Sequence, residues 1–259
     1  MKTKRLLAAV LVIVLAFCAC TVVLASDAKA PTATVTIISE GNFVLKNYEV
    51  VVSNENFNID DALKVAHDAK YEGGADKGYA SATGDYGLYI TKLWGDESGA
   101  FGYAVNNKMS SGLSDEVKSG DSVVAYVYTD KTGYSDKYTY FSVNKASVKA
   151  GEELTLTLSS IGYDENWNTV VSSVAGATIT VDGEKTEYKT DADGKVAISL
   201  KGGKTYTVSA SADSTIVPPL CVVTVAGGSS SVVLYIVIAV IVVCGVAAII
   251  IVSTKKKNK

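Results

Sequence analysis

The sequence has few of the residues from which catalytic and metal centres are built. Its 259 residues include one histidine and four cysteines. Cys18, Cys20 and Cys244 lie inside long apolar runs, so only Cys221 remains between those runs and an internal disulfide is excluded there. A single histidine without a cysteine pair also excludes the usual zinc sites. No nucleophile elbow, phosphate loop or dinucleotide fingerprint occurs. We therefore expect no enzyme, no catalytic residues and no metal site, and no cofactor is indicated.

Two sets of side chains could still carry chemistry, and a structural role is favoured for each. His67 is predicted on the helix flank opposite Leu63, as a surface residue rather than a catalytic one. Asp191 and Asp193 begin a segment that resembles a calcium loop. The glutamate that such a loop requires is missing from Ser199–Lys201. A glycine-containing β-turn is therefore the favoured interpretation.

Acidic residues are confined to the middle of the chain. The first 26 residues carry three basic residues and no acid, and the last 29 carry four lysines and no acid. All 27 carboxylates lie between Asp27 and Asp213, where 17 lysines oppose them, so this part has a net charge of −10. Such a surface would repel phosphate backbones, and we predict no nucleic-acid partner. Lysine outnumbers arginine 23 to 1, which is typical of an AT-rich Gram-positive genome.

The N-terminus has the order of an export signal. Three positive residues precede an apolar run from Leu6 to Leu24, and small residues follow. Val23-Leu24-Ala25 matches a cleavage site, so we predict a signal peptide over 1–25. The run exceeds the usual ~7–15 apolar residues, which leaves an uncleaved N-terminal anchor as an alternative. Cys20 leaves a lipoprotein as a second alternative, although the residues before it do not form a favoured lipobox.

The second apolar run predicts a membrane anchor. Val232–Val252 holds 21 residues without a charge or proline, and about 20 are needed to span the hydrocarbon core. The lysines that follow mark the cytoplasmic side. We therefore predict a transmembrane helix over 232–252, with the lipid bilayer as its partner, and a cytoplasmic tail over 253–259. The protein is then a single-pass protein of the cell membrane with extracellular N-terminal domains. No sortase-like site precedes the helix, so we expect it to be retained.

Between the apolar runs, short bursts of β-branched and aromatic residues with regular turn signals predict many short strands. Residues 31–144 predict two strands, a helix capped by Asn58 with Asp61 three residues on, and further strands after a turn-rich stretch, Glu72–Tyr86. Residues 145–226 predict strands alone, at a sandwich-like spacing, before a linker over 227–231. The predicted strands are Ala33–Ile38, Tyr48–Val52, Gly87–Ile90, Phe101–Val105, Ser122–Tyr128, Leu154–Leu158, Val170–Val174, Ala177–Val181, Val196–Leu200, Tyr206–Ser211 and Cys221–Val225.

Four motifs occur in a suggestive order in 31–144. They are Asp61-Ala62-Leu63 at the helix start, Gly87–Ile90 followed by Leu93-Trp94-Gly95, the hairpin Phe101–Asn106, and Gly120-Asp121-Ser122-Val123 before a tyrosine-rich strand. In this order they resemble the transcobalamin-like C-terminal domain family, a β-grasp-like module of bacterial surface proteins and cobalamin carriers. The family often has Trp where Phe101 stands and Gly where Asn107 stands, and Asn also tolerates a left-handed turn.

The resemblance implies a module that binds a small ligand, with a corrinoid as the best-known example. The first functional hypothesis is therefore a surface module that captures such a ligand for a membrane partner protein. The aromatic residues Tyr89, Trp94, Phe101 and Tyr103 are predicted to form a stacking surface for a planar ligand or glycan, and Asn106 completes the predicted ligand-binding residues. The alternative for such aromatic residues is cross-strand packing on a half-buried sheet. The alternative function is a structural or adhesive surface module that contacts proteins or glycans.

The hairpin Tyr188–Val196 resembles immunoglobulin-like or carboxypeptidase-regulatory-like surface modules. The sequence as a whole therefore predicts a mainly β protein. An α+β, β-grasp-like domain over 31–144 is followed by an immunoglobulin-like β-sandwich domain over 145–226 and by one C-terminal transmembrane helix.

Overall fold

The computed structural model describes residues 30–227. These residues form seventeen β-strands and two helices, so the prediction of a mainly β protein is confirmed. All of these elements belong to one compact unit, which begins at Thr32. The predicted signal peptide, the transmembrane helix over 232–252 and the cytoplasmic tail lie outside the described residues. Within 30–227, no helix combines the length and apolarity that a membrane crossing requires.

The elements divide into two sets along the chain. The first is β1 (Thr32–Ser39), β2 (Asn42–Val51), α1 (Ile59–Lys70), α2 (Ala75–Gly78), β3 (Tyr79–Gly84), β4 (Gly87–Leu93), β5 (Phe101–Val105), β6 (Lys108–Met109) and β7 (Ser122–Val127). The second is β8 (Lys137–Phe141), β9 (Lys145–Lys149), β10 (Glu153–Tyr163), β11 (Thr169–Ser173), β12 (Thr178–Val181), β13 (Glu184–Lys189), β14 (Lys195–Ser199), β15 (Thr205–Ser211), β16 (Ile216–Val217) and β17 (Cys221–Ala226). We call residues 32–128 the first module and residues 137–226 the second module.

The first module is a five-stranded sheet with a helix on one face. The strand order is β2-β1-β7-β5-β6. The central strands β1 and β7 run parallel, and the other neighbours are antiparallel. Side chains alternate between the faces of a strand, so Val35 and Ile37 of β1 pack toward α1 in the first core. β3 and β4 form a separate two-stranded hairpin.

Helix α1 begins where the sequence predicts. The Asn58 side chain accepts a hydrogen bond from the Asp61 N–H at 3.0 Å, and Asp61 accepts one from the Asn58 N–H at 3.2 Å, which completes a capping box. The prediction of His67 as a surface residue is wrong, because His67 is completely buried. His67 follows Leu63 by four residues, and positions four apart lie on the same helix face. The imidazole therefore enters the core beside Leu63.

The stretch predicted as turn-rich, Glu72–Tyr86, is more regular than its glycine content indicates. It contains α2 and β3, and β3 pairs with β4 from Tyr79↔Leu93 to Gly84↔Gly87. A Cβ at Gly78 would collide with the Tyr71 ring, so this glycine permits a close approach of the chain to the end of α1. Glycine in this stretch permits close packing as well as turns. The amino-acid composition alone does not distinguish these two roles.

The second module consists of two five-stranded sheets. One has the path β11-β10-β8-β16, with β14 also paired to β10, and the other has the order β13-β12-β15-β17-β9. Their inward side chains share one core, in which Leu156 and Leu158 of the first sheet meet Val208 and Val223 of the second. Strand β8 pairs with β10 at Leu158↔Phe141, so part of the range predicted as 31–144 is hydrogen-bonded to the second module.

The strands predicted from the sequence are all present, but β2 begins six residues before its predicted start at Tyr48 and β10 extends five residues beyond its predicted end at Leu158. Six further strands were not predicted: β3, β6, β8, β9, β13 and β16. Most of these are short or carry charged residues at alternate positions, as in Glu184–Lys189. Their strand conformation comes from pairing with neighbours, which local residue preference does not report.

The two modules meet along an aromatic and aliphatic cluster that we call the seam. Its buried residues are Ile38, Ala104, Tyr126, Tyr138, Ile161 and Val217. The rings of Tyr126 and Tyr138 stack with centroids 5.8 Å apart, and the Tyr138 hydroxyl donates to Asn107 Oδ1 at 3.2 Å. A Cβ at Gly102 would collide with the Tyr126 ring, so the glycine of β5 makes room for it. The sheet of the first module is thus covered on both faces.

Candidate functional site

The predicted ligand-binding aromatic residues lie at the margin of the first core. Phe101 and Tyr103 are two positions apart on β5 and so share a face, and both are half-buried against the core beneath α1. Trp94 follows β4 and is also half-buried against this core. Tyr89 lies on β4 and is 48% exposed. The structure therefore places three of the four rings in packing contacts and leaves one at the surface.

Trp94 is held in place through the buried histidine. Its backbone N–H donates to His67 Nε2 at 3.1 Å, and the two ring centroids are 5.1 Å apart. Because Nε2 accepts this bond, the neutral ring donates from Nδ1 to the Leu63 carbonyl oxygen, 2.7 Å away. The Tyr71 ring meets the indole edge-on at 5.1 Å. Burial lowers the pKa of His67. His67 thus positions the turn of Trp94 and is not available as a base.

A buried carboxylate lies in the same core. The Asp60 side chain accepts hydrogen bonds from the Tyr79 hydroxyl at 2.8 Å and from Lys64 Nζ at 2.5 Å. Burial raises the pKa of Asp60, but hydrogen bonds from Lys64, Ser81 and Tyr79 outweigh burial and hold it below its usual value. Burial and the Asp60 charge raise the pKa of Tyr79. Asp60 therefore stays ionised and fully partnered, which suits the attachment of β3 to α1.

Tyr103 and Asn106 have different surroundings although they lie on one hairpin. Burial and then the charge of Asp115 raise the pKa of Tyr103, so its phenol stays protonated at neutral pH. Asn106 is exposed in the turn at φ 50°. Its Nδ2 donates to Asp121 Oδ1 at 2.7 Å and its Oδ1 accepts from the Ser122 N–H at 3.0 Å. The Asn106 amide is thus engaged in holding the turn against β7.

Two of the cavities in the described residues lie between the modules, and none of the five predicted residues lines either of these two. The smaller has a volume of about 30 Å³ and lies beside Tyr138 and Asn107 of the seam. The larger is an open cleft of about 430 Å³ that includes Lys46, Thr207 and Ser209. None of these three residues is predicted from the sequence. For Thr207 and Ser209 the one signal is that hydroxyl residues alternate with apolar ones along β15, which usually indicates a solvent-facing side, and Lys46 on β2 carries no such signal.

The segment compared with a calcium loop is a β-turn, as favoured. The Asp191 Oδ1 accepts hydrogen bonds from the N–H groups of Asp193 at 2.9 Å and Lys195 at 2.8 Å. These bonds close the turn between β13 and β14 and engage Oδ1 of the Asp191 carboxylate. Over residues 30–227 no group of three or more His, Cys, Asp or Glu side chains is placed to hold a metal ion.

Comparisons with known proteins do not assign the chain to a family. No protein-family model matches the chain, and no curated protein matches it. Among solved structures, it is similar to the N-terminal four immunoglobulin domains of Dscam1 isoform 4.44, with 9% identity and a TM-score of 0.23 over 76% of this chain and 44% of that one. For Dscam1 isoform 6.9 the values are 8%, 0.24, 75% and 44%. The chain thus spans less than half of these structures, and at such TM-scores the similarity assigns neither fold nor function.

Proposed function

We propose that the chain is a membrane-anchored bacterial cell-surface protein whose ectodomain makes structural or adhesive contacts with proteins or glycans. The predicted export signal and the anchor over 232–252 supply the location. The observation that carries the contact function is the edge strand β11. Among the described strands it pairs with β10 alone, and all five of its residues are exposed.

This edge lacks the features by which sheet edges are usually protected. The sequence Thr169–Ser173 contains neither a charge nor a proline, and Val171 is 57% exposed. The adjoining loop presents Trp167, 82% exposed, with its ring centroid 6.2 Å from that of Tyr163. Hydrogen bonds within Asp164–Asn168 order the loop. An unpaired strand edge beside an exposed aromatic pair suits strand addition by a protein or stacking against a sugar ring.

The fold supports a surface module of this kind. A sheet of order β2-β1-β7-β5 with parallel central strands and a helix across one face is compatible with a β-grasp-like domain. Two sheets around one core are compatible with an immunoglobulin-like sandwich. Both folds support many functions, so the contact proposal depends on the edge strand and not on the fold.

The test uses the full-length chain in liposomes. Clustering of these liposomes and binding to a glycan microarray would be measured for wild type and for Val171→Lys, which places a charge on the bare edge. Val143→Lys is the matched control, because Val143 is 42% exposed and lies outside β11. We expect clustering or array binding by wild type and by the control, and its loss in Val171→Lys. Equal behaviour of the three proteins, or no contact by any, would contradict the proposal.

A second candidate is small-ligand binding by the first module, with a corrinoid as ligand and a membrane protein as recipient. The half-buried Trp94, Phe101 and Tyr103 at the margin of a β-grasp-like sheet favour it. The full-length chain in detergent would be titrated with cobalamin and followed by absorbance and calorimetry, with Trp94→Phe and Tyr89→Ala as variants. No heat and no spectral shift at high micromolar cobalamin would eliminate the corrinoid version.

A further inference from the structure

The open edge of β11 carries backbone hydrogen-bonding groups at every second residue. In an antiparallel ladder, alternate residues bond to one neighbour and the residues between them point the other way. At the two ends of the β10–β11 ladder, the Asp164 N–H donates to the Asn168 carbonyl at 3.0 Å and the Val174 N–H to the Leu158 carbonyl at 3.1 Å. Even-numbered residues of β11 therefore bond to β10. The residues whose backbone groups point to the open edge are Thr169, Val171 and Ser173.

This edge is self-complementary about Val171. When a second β11 lies antiparallel beside the first, a two-fold axis at Val171 places the two Val171 side chains next to each other and each Thr169 opposite a Ser173. Each of these residue pairs exchanges two backbone hydrogen bonds. Threonine–serine pairs are favourable cross-strand neighbours, two valines bury apolar surface, and no charge faces another charge within the strand.

Strand β14 continues the same edge of β10 beyond the end of β11. Leu158 of β10 shows this alignment, because its N–H donates to the Gly194 carbonyl at 2.8 Å while its own carbonyl accepts from the Val174 N–H. Both groups of one residue point to the same edge of an antiparallel strand. Lys195 begins β14 and is exposed. In the two-fold pair, the loop Asp164–Asn168 of one copy therefore comes beside Lys195 of the other.

The charges along the edge favour this antiparallel arrangement. Glu165 is exposed in the loop, and Lys195 Nζ lies 3.9 Å from its nearest carboxylate, that of Asp193. Thr169 of one copy lies about 14 Å along the strands from Thr169 of the other, four residues at ~3.4 Å each, so the two acidic loops stay apart. A chain whose middle part has a net charge of −10 repels its own copies, so self-contact is expected where charge is absent or compensated.

The end at which the chain leaves the second module determines how two paired copies are oriented. Strands β9 and β17 run parallel and finish together at Lys149↔Ala226, and the chain then turns from β9 into β10 at Glu153. Because β11 is antiparallel to β10, it points toward the end at which β17 leaves the module. Two antiparallel β11 strands point in opposite directions, so the two exits toward the predicted anchors lie at opposite ends of the pair.

We propose that β11 pairs with β11 of a second copy of this chain on a facing membrane. The inference rests on the proposed contact function and names its partner. Five paired residues bury less than the ~1,600 Å² of a standard interface, so a single pair is weak. Many anchored copies on two surfaces act together, which makes clustering of membranes a more sensitive readout than dimerisation in solution.

The experiment exchanges charges at the two-fold axis. Full-length Val171→Lys and full-length Val171→Glu are placed in separate liposome populations, and light scattering follows the clustering of each population and of their mixture. Val143→Lys and Val143→Glu are the matched controls, because Val143 is 42% exposed and lies outside β11. Wild-type liposomes are measured in parallel, by clustering and on a glycan microarray.

We expect wild-type liposomes to cluster and each Val171 variant alone to cluster about fivefold less, because two like charges then lie side by side. The mixture of the two variants should recover clustering, since lysine then faces glutamate. This recovery also shows that both variants are folded. The Val143 variants should cluster as wild type does, alone and mixed, which excludes general attraction between liposomes of opposite charge.

A second set of variants tests the antiparallel register. Thr169→Lys liposomes should cluster more strongly with Ser173→Glu liposomes than either population does alone, because residue 169 of one copy faces residue 173 of the other. Thr169→Lys mixed with Thr169→Glu should show no such gain. A gain in that mixture alone would indicate parallel pairing and would overturn the proposal.

The outcomes separate self-pairing from the contact function. Wild-type clustering that the mixed Val171 variants do not restore would overturn self-pairing, but would leave an edge contact with another protein or a glycan. Binding to the glycan array without clustering would do the same. Clustering that neither Val171 variant reduces would overturn both proposals, as would the absence of clustering and of array binding by wild type.

Discussion

The two faces of the first-module sheet are both covered, but by different chemistry. Helix α1 covers one face with aliphatic residues, and the two buried polar side chains there, Asp60 and His67, find their hydrogen-bond partners within the first module. The second module covers the other face through the seam, where Tyr126 and Tyr138 stack. We therefore expect the face covered by α1 to determine the stability of the first module, and the face covered by the seam to determine whether the two modules unfold together.

The largest effect is expected from Tyr126→Ala in the seam. Tyr126 is 1% exposed, and removal of a large buried ring costs about 3–5 kcal/mol. We expect the modules to unfold separately in this variant. The two tryptophans report on one module each, so fluorescence-detected denaturation of Trp94→Phe and Trp167→Phe backgrounds separates the two transitions.

Tyr86→Ala is the control for Tyr126→Ala, because the Tyr86 side chain is fully exposed. We expect coincident transitions in the control. Coincident transitions in Tyr126→Ala would show that the seam does not couple the modules.

Leu63→Ala is expected to destabilise the helix side by about 3 kcal/mol, as a buried leucine truncation with its cavity. Leu63 is completely buried, whereas Val65 on the same helix is 40% exposed and Val65→Ala is the control. The loss should be detected by Trp94 and not by Trp167 once the seam is weakened by Tyr126→Ala. An equal loss at both tryptophans in that background would mean that the helix face stabilises both modules.

His67 makes the helix side sensitive to pH. Burial lowers the pKa of His67 in the folded chain, whereas a histidine in an unfolded chain has a pKa of about 6.5. Below that pH the unfolded chain binds the extra proton, so this contribution to stability is complete above about 6.5 and is lost as the pH falls.

His67→Gln tests this pH dependence, because an amide can replace both hydrogen bonds without titrating. Denaturation at pH 7 and pH 5.5 should show a shallower dependence for the variant than for wild type. Because the chain has one histidine, no other imidazole contributes to the difference. Identical slopes for the two proteins would contradict the assignment.

The smallest effect is expected from Asn58→Ala, about 1 kcal/mol, the usual cost of losing a helix N-cap. Asn58→Ser should restore most of it, since serine caps as well. The two unfolding free energies, measured side by side, distinguish loss of the cap from a general effect of substitution at this position. A serine variant as unstable as the alanine variant would contradict the capping role.

Much of the fold could be predicted because its causes are local. Asn58 and Asp61 are three residues apart and make a capping box without help from the rest of the chain. The β-branched and aromatic bursts marked eleven strands correctly. The prediction for His67 is wrong because it places the residue opposite Leu63, although residues four apart lie on the same helix face.

The candidate sites were less predictable. Aromatic side chains such as Trp94, Phe101 and Tyr103 occur both in protein cores and in ligand-binding sites. The sequence around them does not distinguish a packing role from a binding role. The structure places their rings against the first core, and their binding role stays a prediction. The larger cleft could not be predicted, because Lys46 and Thr207 are 161 residues apart in the chain.

The sequence alone determined the mainly β class, the capped helix and the candidate export and anchor segments, since each depends on residues that are neighbours along the chain. Only the tertiary structure decided that β1 and β7 lie parallel at the centre of a sheet, that Tyr126 of β7 stacks on Tyr138 of β8 in the seam, and that the Ser209 Oγ is buried with no hydrogen-bond partner in the part of the chain that the structure describes. These features arise from contacts between residues that are distant in the sequence. An alternating strand pattern alone is compatible with either a solvent-facing or a buried face, so it does not determine them.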